Sequence, residues 1–136
     1  MTEVLNMKIM VAYDKDDASD KSLEMAVKHA KAFAGEVLLV TSRIGGAKTE
    51  RPEIIDAKRD LEEAKKYLNE AGVSCETHLL IRGFEAGEDL VMFAEEQNAD
   101  EIIIGIKRRS KVGKFIFGST AQIVILDAHC PVLSVK

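Results

Sequence analysis

Cysteine and proline are scarce in this 136-residue chain, at two each, and nowhere do about 18 apolar residues run together. The two cysteines, Cys75 and Cys130, lie far apart in apolar contexts without C-x-x-C spacing. That excludes a disulfide framework and a zinc site, and leaves two small buried hydrophobes in a reducing compartment as the expectation. The absence of a long apolar run excludes a membrane-spanning helix. Met1 to Lys8 lacks a basic segment followed by an apolar one, so no secretory leader is expected and the location expected is cytoplasmic. Positive charge is not in excess either. The formal net charge of −4 offers no general attraction to nucleic acid or to anionic lipid.

What is present suits one globular domain. A chain of this length buries about two-thirds of its unfolded surface and needs no metal to hold it together. Short apolar runs alternate with amphipathic stretches along its whole length. Lys8–Tyr13, Glu36–Thr41, Val73–Ile81, Glu101–Gly105 and Pro131–Val135 read as strands. Between them, Leu23, Ala26, Val27, Ala30 and Phe33 recur at helical spacing, with Asp16 or Asp17 as cap and Gly35 as stop. Ile54, Ala57, Leu61, Ala64 and Leu68 mark a second helix that ends at Gly72. Ala86, Leu90, Phe93 and Ala94 mark a third, over 85–97. A fourth occupies part of 115–128 and starts near Gly118-Ser119. The polar stretch 42–53 reads as a long loop.

Strand–helix alternation implies a five-stranded parallel sheet with helices on both faces, a Rossmann-like α/β fold of strand order 3-2-1-4-5. Ligands of such sheets bind beyond the carboxyl ends of the strands where the order reverses. Here that is where Tyr13-Asp14 and Gly105-Ile106 leave the first and fourth strands.

The segment beginning at Gly105 carries the most chemistry. It passes through Lys107, Arg108, Arg109, Lys111 and Lys114, then enters a helix at Gly118-Ser119-Thr120. A helix N-terminus presents free N–H groups and the positive end of the dipole, which suits phosphate. Glycine permits close approach, and Ser119 and Thr120 add hydroxyl donors. Spacing alone is equally compatible with a simple helix cap followed by solvated cations.

The segment resembles the nucleotide motif of the universal stress protein family, Gly-x-x-Gly-x9-Gly-Ser/Thr, with Gly105, Gly118 and Ser119 in register. The similarity also takes in Lys8–Asp14, Arg82-Gly83-Phe84-Glu85-Ala86, Asn98-Ala99-Asp100 before EIIIG, and Cys130–Val135. The resemblance implies an adenine nucleotide, ATP or AMP, with Mg2+ accompanying ATP. Its base would lie near Ala12, Tyr13, Asp14, Val40 and Thr41. Its phosphates would lie near Gly105, Lys107, Arg108, Arg109, Gly118, Ser119 and Thr120. It also implies a homodimer through the C-terminal strand and a role in stress response or signalling. Arg108 stands where the family's middle glycine would be. It either weakens the site or replaces backbone contacts with charge-assisted hydrogen bonds. Asp14, for its part, also fits a helix-lead-in carboxylate without a ligand.

Nothing points to turnover. His29, His78 and His129 show no metal spacing and no nucleophile partner, and no G-x-x-x-x-G-K-S/T loop is present. His29 is expected to be exposed, His129 to complement a helix C-terminus, and any ATP hydrolysis to be slow and incidental. A nucleotide-binding module is thus one reading, and a nucleotide-independent scaffold of the same fold is the alternative.

Overall fold

The computed structural model describes residues 6–15, 18–106 and 118–136. The chain runs β1 (Lys8–Ala12), α1 (Ser19–Ala32), β2 (Glu36–Arg43), a 3-10 turn (Gly46–Lys48), α2 (Arg51–Glu70), β3 (Cys75–Ile81), α3 (Ala86–Glu96), β4 (Glu101–Gly105), α4 (Ser119–Asp127) and β5 (Val132–Val135). The strands form one parallel sheet in the order β3-β2-β1-β4-β5, as the alternation requires.

Successive residues of a strand point to opposite faces, so one sheet builds two cores. Ile9, Val11, Val37, Leu39 and Ile103 pack with Leu23 and Ala26 of α1 and Leu61 and Leu68 of α2. Met10, Leu38, Val40, Ile102 and Ile104 pack with Leu90 and Phe93 of α3 and Val124 of α4. The central strands are buried on both sides, which explains their unbroken apolar runs.

Several local expectations are corrected. The loop expected over 42–53 is shorter, because Ser42 and Arg43 extend β2 and α2 starts at Arg51. Pro52 lies in the first turn of α2, where its missing N–H costs no intrahelical bond. Ala18 holds the N-cap position of α1 and makes no side-chain cap, while Asp16 and Asp17 lie outside the described residues. Helix α1 ends at Ala32, and the left-handed residue beyond it is Ala34 rather than Gly35. Gly35 serves a different need: a Cβ there would sit 2.7 Å from the Met7 carbonyl oxygen. Phe33 was expected to face inward but is 49% exposed.

Candidate functional site

The strand order reverses at β1, whose neighbours are β2 and β4. Beyond the carboxyl ends of these three strands, on the α3/α4 face, is a cleft of about 80 Å³. Ala12, Tyr13, Asp14, Val40, Gly105 and Thr120 all line it, together with Ser42, Arg43, Ala86, Leu90 and Ile104. The register explains the convergence, since Ala12 pairs with Val40 on one side and with Ile104 on the other. Its volume is below the ~300–1,000 Å³ of typical small-molecule pockets.

Thr41 is not part of this cleft. Its side chain belongs to the opposite face, where its hydroxyl donates to the Tyr13 carbonyl at 2.9 Å. The Tyr13 N–H donates in turn to the Val40 carbonyl at 2.8 Å. These two bonds fasten the chain leaving β1 to the end of β2. They also occupy two groups, the Thr41 proton and the Val40 carbonyl, that could otherwise meet a base.

Helix α4 begins where the motif requires. Gly118 occupies its N-cap position in extended conformation (φ −68°, ψ 165°) and, being glycine, supplies no side-chain cap. Its backbone angles suit any residue, so no backbone strain requires glycine here. Ser119 is exposed and Thr120 half-buried against the cleft. Lys107, Arg108, Arg109, Lys111 and Lys114 lie outside the described residues.

Sequence reasoning missed the most fully buried polar group beside the cleft. Asp89, on the inward stripe of α3, is 0% exposed. Its Oδ1 accepts from Arg82 Nε at 2.7 Å, and its Oδ2 accepts from the Ser42 hydroxyl at 2.9 Å. Arg82 continues to Glu96 at 2.9 Å and lies 5.6 Å over the Phe93 ring. Hydrogen bonds to Asp89 and then to Glu96 raise the guanidinium pKa above its ordinary value. The network ties the ends of β2 and β3 to α3. A signal was present: an aspartate on the same helical face as Ala86, Leu90 and Phe93 must have a buried partner.

A second cleft, of about 250 Å³, opens on the α1/α2 face around Tyr13, Thr41, Asp56 and Asp60. Burial is the main cause that raises the Tyr13 pKa, and the negative charge of Asp60 adds to it. Asp60 Oδ1 makes no hydrogen bond, but Lys15 Nζ approaches it at 3.6 Å and Arg59 Nε at 3.9 Å. No cluster able to hold a metal occurs among the described residues.

His29 and the cysteines also differ from expectation. His29 is not an exposed side chain: its Nδ1 pairs with Glu101 Oε1 at 2.6 Å, and the side chain is 24% exposed. His129 follows α4 and is exposed. Cys75 and Cys130 are free and only half-buried. Burial pushes the Cys75 thiol up to about 11, against a smaller opposing pull from Lys65.

Residues 6–136 match the model of the universal stress protein family. The chain belongs to that family. A universal stress protein of Methanocaldococcus jannaschii is 34% identical over 145 residues, which span 98% of this chain and 84% of the relative. A universal stress protein structure from Archaeoglobus fulgidus shares 43% identity at a TM-score of 0.89, covering 96% of this chain and 98% of its own. Another universal stress protein from the same organism was solved in complex with dAMP. It is 38% identical with a TM-score of 0.84, covering 97% of this chain and 99% of its own. No helix among the described residues of this universal stress protein is long and apolar enough to cross a membrane.

Proposed function

We propose that this universal stress protein binds an adenine nucleotide at the α3/α4-side cleft and works as a homodimeric stress-response or signalling module. One observation carries the reading. Ala12, Tyr13, Asp14 and Val40, which the family resemblance assigns to the base, meet Gly105 and Thr120 of its phosphate set at the sheet's reversal point, in a chain 38% identical to a dAMP-bound relative. The base lies toward Asp14 and Val40, and the phosphate toward the first turn of α4 at Gly118, Ser119 and Thr120. AMP is the simplest ligand, and ATP would bring Mg2+ with its additional phosphates.

The dimer forms through β5, which lies at the edge of the sheet where an unpaired ladder invites another chain. Leu126, on the helix leading into β5, is 78% exposed and is the kind of apolar surface a second copy would cover. The role is binding in the cytoplasm rather than turnover, and ATP hydrolysis is slow and incidental.

Calorimetric titration with dAMP, AMP and ATP, with and without Mg2+, tests the ligand. Binding at or below millimolar concentration is expected, and Gly118→Val weakens it about tenfold or more by obstructing phosphate approach. No heat with any of them at millimolar ligand would leave the scaffold reading. Light scattering tests the assembly: a dimer is expected at micromolar concentration, and a charge at Leu133 should dissociate it.

A further inference from the structure

We propose that Ser42, oriented by the Arg82–Asp89 pair, is a base-selecting acceptor that favours a 6-aminopurine over a 6-oxopurine in the cleft. This deepens the nucleotide reading and rests on it. Ser42 follows Val40 by two residues, so both belong to the α3/α4 side of β2 and both line the cleft. Asp89 forms an ion pair with Arg82, and a carboxylate has no proton to donate. The 2.9 Å hydrogen bond that Ser42 Oγ donates to Asp89 Oδ2 therefore consumes the only proton of the Ser42 hydroxyl. What remains on Ser42 Oγ is lone pairs.

A neighbouring donor is withdrawn as well: the Thr41 hydroxyl proton is committed to the Tyr13 carbonyl, on the other face. Arg43, which also lines the cleft, turns its Nη1 onto the Ser42 carbonyl at 3.0 Å. An acceptor in this position complements the exocyclic amino group of adenine. It opposes the carbonyl oxygen that replaces that group in hypoxanthine, where two acceptors would face each other with no proton between them. Asp89 and Arg82 are positioning residues in this scheme. Neither needs to touch the ligand, and both fix which way the Ser42 proton points.

Calorimetry with AMP and IMP on the full chain, wild type against Ser42→Ala and Asp89→Asn, tests the assignment. Wild type should favour AMP by about tenfold or more, the scale of one good hydrogen bond set against an unpaired acceptor. Ser42→Ala should bring the ratio within about threefold, mainly by weakening AMP. Asp89→Asn should also shrink the ratio, because an asparagine amide can donate to Ser42 and release its proton. A merely structural role for the network would weaken both nucleotides alike and leave the ratio unchanged. If Asp89→Asn does not fold, Ser42→Ala alone decides. AMP binding without preference over IMP, or with a ratio unchanged in Ser42→Ala, overturns the inference but leaves the nucleotide reading standing. Wild type that binds neither nucleotide overturns both.

Discussion

On the α3/α4 side, the ends of β1, β2 and β4 open onto Ala12, Val40, Gly105 and Thr120, with a carboxylate buried behind them at Asp89, while Tyr13, Asp14 and Arg43 line the clefts of both sides. On the α1/α2 side, the end of β1 and the neighbouring end of β2 open onto Tyr13 and a set of carboxylates that includes Glu53, Asp56 and Asp60. The polar groups differ in how they are held. Asp89 is fully enclosed and bonded through both oxygens, whereas Asp56 and Arg59 pair across water-exposed surface at 3.1 Å. The adjacent residues Thr41 and Ser42 divide between the two faces, and each gives its proton to a structural partner. Burial decides which of these polar groups can be removed at little cost, and the largest differences should follow it.

Asp89→Leu is the harshest way to test that contrast. It leaves Arg82 without its carboxylate and Ser42 without its acceptor, while the added apolar bulk cannot reach either donor. Breaking an enclosed pair by removing one partner costs about 3–5 kcal/mol, and the partial exposure of Arg82 places the expected loss near the lower end, about 3 kcal/mol. Urea denaturation reads it directly. A loss below about 1 kcal/mol would show that the network does not hold β2, β3 and α3 together.

The contact between α3 and α4 gives the next effect. A Cβ on Gly87 would stand 2.8 Å from Ile123 Cβ, so the two helices meet through a missing side chain. Gly87→Val should destabilise by about 1–3 kcal/mol through overpacking. Ile123→Ala in the same chain should recover part of that loss, since it removes the atoms that collide. Absence of any recovery would place the strain elsewhere.

These sites also show what the sequence could convey. Strand order was legible because β1, β2 and β4 are buried on both faces and helical stretches separate all five strands, which leaves few alternative topologies. Ala12, Asp14, Val40, Gly105 and Thr120 were legible through the reversal rule and the family motif. Other features depend on partners distant in the chain. Glu101, which draws in His29, is 72 positions away, and Ser42 lies 47 positions from Asp89. Spacing carries no record of such pairs, although a charge within an apolar stripe hints at one. The first turn of α2 is hidden in the sequence because Arg51, Pro52 and Glu53 are all exposed, and apolar periodicity cannot mark a turn that buries nothing.

The smallest effect should come from the acidic face. Arg59 pairs with Asp56 one turn away on α2, and both side chains are 58% exposed. It also approaches Asp60 at 3.9 Å, but Lys15 lies nearer that carboxylate, at 3.6 Å. An exposed pair three residues apart on a helix contributes about 0.3–0.5 kcal/mol and is screened by salt. Alanine has the higher helix propensity, which offsets part of even that. Arg59→Ala should therefore change stability by less than about 0.5 kcal/mol. Its affinity for AMP should stay within about twofold of wild type, because the proposed ligand occupies the other side of the sheet. Paired urea melts and AMP titrations check both halves. A loss of affinity with stability intact would move the nucleotide, or a charged part of it, toward the α1/α2 face, and the division between the two clefts would then fail.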